Sequence, residues 1–203
     1  DVGKVPKTSQ PQALPGETAA RSSLAPRLAR VIAAVSLALV FLAFGIALYY
    51  LLAEGRSEQF LSHQAAIPFV AIIYLALGVL VISSQPANVI GWLFLIVGSF
   101  YSVSALTTAL TLFGPELPIR IPQSIMTLAI WLSLWVWIPT QILPTTFVFL
   151  LFPDGRLHGP RWQPVVWITR LGLFLVILGF TYAPMPLEGW TEVASPFGTP
   201  GTE

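Results

Sequence analysis

The chain has 203 residues, 55% of them hydrophobic and only 9% charged, with ten Lys and Arg against nine Asp and Glu, a net charge of +1 and no cysteine. An ordinary soluble domain carries about 25% charged residues, so this composition excludes a water-soluble core, and the near-neutral balance excludes nucleic acid as a partner, since its binding needs a concentrated cationic surface. The lack of cysteine excludes disulfides, thiolate metal clusters and Cys-attached haem.

The long apolar runs between Leu28 and Tyr182 predict an all-α polytopic membrane protein, a bundle of five transmembrane helices with short loops. Each run can cross a hydrocarbon layer of about 30 Å, and a helix satisfies its own backbone where water cannot. Residues 1–27 form a polar head whose basic flank, Arg21 and Arg27, continues to Arg30 and suits anionic lipid headgroups. Span one covers about 28–53 and ends in the interfacial pair Tyr49-Tyr50. Span two covers about 60–83, with Ala66 as a later possible start, and closes at Ser83-Ser84-Gln85-Pro86. Asn88 is placed to cap span three, about 89–113. Pro115, Pro118 and Pro122 separate it from span four, about 125–152, which Pro139 and Pro144 should kink. Pro153-Asp154-Gly155 forms a turn, and span five runs from about 165 to 182. A Gly/Pro-rich tail occupies 183–203.

Cationic residues of short loops stay on the cytoplasmic side. With the N-terminus inside, the inner segments hold eight of the ten, Lys4, Lys7, Arg21, Arg27, Arg30, Arg156, Arg161 and Arg170, and the outer ones hold only Arg56 and Arg120. This predicts a multi-pass protein of a bacterial cytoplasmic (inner) membrane, with the N-terminus inside and the C-terminal tail outside.

No span carries a charge near its middle, which argues against a proton pump or charge-coupled transporter. Paired carboxylates, a phosphate-cradling loop and an activated nucleophile are not found, so no catalytic residue is assigned and no enzyme is expected. His63, near the outer end of span two, is a weak candidate ligand for a pigment magnesium or a quinone. The plainer reading is an interfacial histidine facing water or headgroups. His158 belongs to the inner loop, so the two histidines cannot share one metal, and no metal site is expected. Span three carries a small-residue stripe, Gly91, Gly98, Ser102, Ala105 and Ala109, of the kind that lets helix backbones approach in lipid. It packs inside the bundle or receives another transmembrane subunit. Gly98→Leu is accordingly expected to do more damage than Leu95→Phe. Span four displays Trp131, Trp135 and Trp137, a possible surface for a partner, lipid or pigment.

Three segments together carry a resemblance: Asn88-Val89-Ile90-Gly91-Trp92, the run Leu151-Phe152-Pro153-Asp154-Gly155-Arg156-Leu157 with Arg161-Trp162 after it, and Ser195-Pro196-Phe197-Gly198. They resemble the N-terminal multi-span membrane region of bacterial sensor histidine kinases. The resemblance implies a sensory input module, although no phosphoacceptor helix or ATP-binding box occurs in the 203 residues. The leading expectation is therefore a non-catalytic membrane module acting as sensor or scaffold, in contact with membrane lipids and other transmembrane subunits. The alternative is an accessory subunit of a photosynthetic or respiratory complex that binds lipid, quinone or a chlorophyll-type pigment. A small transporter ranks below both.

Overall fold

A computed structural model describes residues 15–54, 66–151, 155–157 and 159–182. Every regular element among them is helical, and five helices are long and apolar enough to cross a membrane. The architecture is the all-α bundle expected from the sequence, compatible with a multi-pass membrane protein. His63, His158, the Phe152-Pro153-Asp154 turn, the first fourteen residues and the tail with Ser195–Gly198 lie outside the described residues.

Helix α1 runs Pro15–Glu54, well beyond the hydrophobic run. Pro15 at its first position needs no intrahelical donor, and the Ala, Arg and Leu residues that follow are strong helix formers. Its apolar span is Leu24–Ala53. Helix α2 is Ala66–Ser84 and α3 is Val89–Phe113. Asn88 caps α3, its Oδ1 accepting from the Ile90 N–H at 3.0 Å while its Nδ2 donates to Gln85 Oε1 at 2.8 Å. The Trp92 indole donates to the Pro86 carbonyl at 3.1 Å and ties the same turn. An isolated cap of this type is worth about 1 kcal/mol. Asn88→Ala should lower the unfolding free energy by about that amount in an SDS titration from mixed micelles.

The fourth span, Gln123–Leu151, is not one helix. It consists of α4 (Gln123–Trp135), α5 (Trp137–Leu143), a π-helical segment Pro144–Val148 and a closing turn Phe149–Leu151. The two prolines account for both interruptions. Pro139 has no N–H for the Trp135 carbonyl, and the chain turns at Val136. Pro144 likewise leaves the Thr140 carbonyl without a donor, and the wider π-turn makes room for its ring. Helix α6, Gln163–Tyr182, follows a short 3-10 turn, Pro160–Trp162.

Helices α1, α2 and α3 form the tight part of the molecule. A side-chain carbon at Gly98 would lie 2.8 Å from the Leu75 backbone N, one at Gly78 would lie 2.7 Å from the Leu95 backbone N, and one at Gly91 would lie 2.9 Å from side-chain carbons of Ile82 and Val81. Gly78 and Gly98 thus let α2 and α3 approach backbone to backbone, and Gly91 admits the side chains of Val81 and Ile82. In lipid, where apolar helices gain little from leaving the solvent, such close packing is what holds helices together. Helix α1 joins through two clusters, Ala29 and Ala33 with Leu75, Ile82 and Leu95 at one end, and Ala43, Ile46 and Tyr50 with Ala105, Ala109 and Phe113 at the other. Between them Ser36 Oγ donates to Ser99 Oγ at 3.0 Å. Helix α6 is held differently. Val166 is its one buried residue, and Trp167, Ile168, Leu171, Phe174 and Leu175 are all more than half exposed.

Candidate functional site

The small-residue stripe on α3 serves two neighbours rather than one. Gly91 and Gly98 meet α2, Ala105 and Ala109 meet α1, and Ser102, wholly buried, donates its hydroxyl to the Gly98 carbonyl at 2.8 Å. The spacing of seven, four, three and four keeps the stripe on one face of the helix, and its neighbour changes along the axis, α2 at Gly91 and Gly98 and α1 at Ala105 and Ala109. Leu95 belongs to this interface too. It is 1% exposed and covers Gly78, so Leu95→Phe is no neutral control for Gly98→Leu. Ile96, the next residue and 47% exposed, is the proper one.

The three tryptophans of span four do not make one surface. Trp135 is buried and Trp131 half-buried, their rings edge to face at 5.4 Å, whereas Trp137 is exposed and donates its indole N–H to the Leu134 carbonyl at 3.0 Å. The turn at Val136 separates the inward pair from the outward ring.

Polar chemistry gathers instead at the proline break, where α2, α3 and span four meet. A cleft of about 320 Å³ lies there, lined by Tyr74, Phe94, Tyr101, Gln141, Pro144 and Thr145 among others. Tyr74 and Tyr101 stand at the middle of α2 and α3. Tyr101 is twelve residues from either end of its helix, hence about 18 Å from each end at 1.5 Å per residue. The two rings stack at 5.8 Å with 21° between their planes, and Phe94 meets Tyr74 edge-on at 5.7 Å. Gln141 Nε2 donates to the Tyr101 hydroxyl oxygen at 3.2 Å. Thr140 and Thr145 turn their hydroxyls back onto the carbonyls of Trp137 and Gln141, the usual way a helical threonine hides its donor. Among the described residues neither the Tyr74 hydroxyl nor Gln141 Oε1 has a hydrogen bond. The sequence reading singled out none of Tyr74, Tyr101 and Gln141. The available signal was weak: Tyr74 is a hydrogen-bonding side chain in an otherwise apolar run, but Tyr101 and Gln141 stand among serines and threonines.

A larger cavity, about 450 Å³, lies at the other break, between Gly114 and Met126. Its walls are the Pro-rich connection and one charged side chain, Arg120, and it offers no convergence of polar groups from separate helices. Among the described residues no group of three or more His, Asp or Glu could hold a metal ion.

The segment that opens span three, residues 88–92, and the described residues that follow span four, 155–157, are brought into contact. Gly155, buried and at φ +69°, is packed against Asn88, where an added side-chain carbon would lie 2.7 Å from Oδ1. Beneath them Ile90, Leu150, Leu151 and Val166 form one apolar cluster. The start of span three, the end of span four and the start of α6 are thus joined at one end of the bundle. Compared with family models, with curated proteins and with solved structures, the chain matches none.

Proposed function

We propose that this chain is a non-catalytic membrane module that works by helix–helix contact, as a sensory input or scaffold. The observation that carries this reading is the uneven packing of the five spans. Helices α1 to α3 are interlocked through glycines and serines, whereas α6 keeps a single buried residue and span four is broken twice. A rigid core carrying a loosely attached arm is an arrangement that can pass on a change, because regions with few buried contacts shift at low cost. The joint at Asn88 and Gly155 ties that arm to the core at one end, and along the rest of its length α6 is held chiefly by span four. The resemblance of the same two motifs to sensor-kinase membrane regions supports input rather than a purely structural part. The charge-free middles of the described spans support binding over ion transport.

In the proposed orientation the Arg156–Arg161 segment is cytoplasmic and Arg56 is outside. Single cysteines placed in this cysteine-free chain should react with an impermeant thiol reagent in intact cells at position 56 and not at position 158. The reverse pattern would overturn the orientation. The functional reading is tested by purifying the protein from native membranes in mild detergent and incubating it with labelled ATP. A defined companion subunit and no labelled phosphate are expected. A lone monomer, or label on His63 or His158, would contradict it.

A further inference from the structure

We propose that the cleft between Tyr74, Tyr101 and Gln141 binds the ring head of a quinone-class lipid that enters sideways from the bilayer. The inference rests on the reading that the five helices span a membrane, and it does not depend on whether the chain acts as sensor or scaffold.

The argument starts from cost. A hydroxyl or amide left without a partner in hydrocarbon loses several kcal/mol relative to water. Tyr74 and Tyr101 sit at mid-depth, and Gln141 turns its amide toward them from a third helix. The Tyr101 oxygen accepts from Gln141, so its own O–H is free to donate. The Tyr74 O–H is free as well, and Gln141 Oε1 is a free acceptor among the described residues. Two donors and an acceptor therefore line one small space in which leucine or phenylalanine would be cheaper.

The walls select the occupant. None of the lining residues is ionised at neutral pH, so a charged ligand would meet no counter-charge and would be rejected by desolvation. The rings of Tyr74 and Tyr101, stacked on each other, and of Phe94, edge-on to Tyr74, give an aromatic wall, which favours a planar conjugated ring. The free tyrosine protons call for acceptors on that ring, and carbonyls supply them. The volume, about 320 Å³, is at the low end of the range for small-molecule sites, about 300–1,000 Å³. It fits a one- or two-ring head and is too small for a tetrapyrrole. Gln141, Thr145 and Phe149 are exposed, Phe149 to 81%, so the opening faces sideways and a long apolar tail can leave along Phe149. The π-helical turn at Pro144–Val148 forms this mouth, and such turns are frequent at functional sites.

The test uses the full chain in nanodiscs and a quinone carrying a ten-carbon tail, with binding followed by calorimetry. The same tail on a plain benzene ring is the comparison. The quinone should bind saturably at one site and the benzene analogue should not. Tyr74→Phe and Tyr101→Phe keep both rings and each should weaken binding about three- to tenfold, the worth of one hydrogen bond. Val148→Trp, at the half-buried mouth of the cleft, should abolish binding. Equal uptake of both compounds, or quinone affinity unchanged in all three variants, would overturn the proposal. A companion subunit recovered with the protein, together with no quinone binding, would sink this site and leave the proposed function standing.

Discussion

Replacing Gly98 by leucine is expected to force α2 and α3 apart and to cost about 3 kcal/mol or more of stability, beyond the upper part of the usual overpacking range. The reason is what the new side chain would meet. Its first carbon alone falls 2.8 Å from the Leu75 backbone N, and backbone inside a helix cannot step aside as a side-chain tip can. Because Gly78 and Gly91 make equally close approaches along the same contact, the strain cannot be relieved by pivoting about one end. Ile96→Phe, on the exposed side of α3, should leave stability within about 0.5 kcal/mol, as surface changes usually do. The two variants are compared by SDS titration in mixed micelles. Equal midpoints would show that the α2–α3 contact is not the close one described.

The second large effect belongs to Gly155. Its φ of +69° is a conformation that costs any residue with a side chain about 1–2 kcal/mol. Alanine there would also push on Asn88 Oδ1 at 2.7 Å and disturb the cap of α3, worth about 1 kcal/mol. Gly155→Ala should therefore destabilise by about 2–3 kcal/mol. Asn88→Ala combined with Gly155→Ala should cost less than the sum of the two, because the double variant no longer has the clash. Strict additivity would mean that the joint between the start of span three and the end of span four is not formed.

How far the sequence discloses this molecule depends on the kind of signal. The spans can be read because a hydrocarbon layer sets a minimum length of apolar helix and tolerates no unsatisfied backbone. Asn88, Pro139 and Pro144 can be read because each has one local effect on a helix. Facing is harder. A helix apolar all round gives no hint of which side meets a neighbour, so the inward turn of Leu95 and of Trp135 is invisible without the bundle. The α3 stripe is visible as a pattern, yet its division between α1 and α2 is not, and Gly78, its counterpart on α2, stands alone in its run. The Tyr74–Tyr101–Gln141 cleft is hardest of all. It exists only because three helices distant in sequence, one of them broken at Pro144, bring these three residues to one place.

Distances between spin labels in nanodiscs test the rigid core and loosely held arm most directly, and the absence of native cysteine allows labels to be placed in pairs. Phe41 with Ile96 reports α1 against α3, and Ile96 with Leu171 reports α3 against α6; all three positions are exposed. The account predicts a single narrow distance for the first pair and a broad or two-peaked distribution for the second. Two equally narrow distributions would contradict it, because the five spans would then move as one body with no arm to carry a signal.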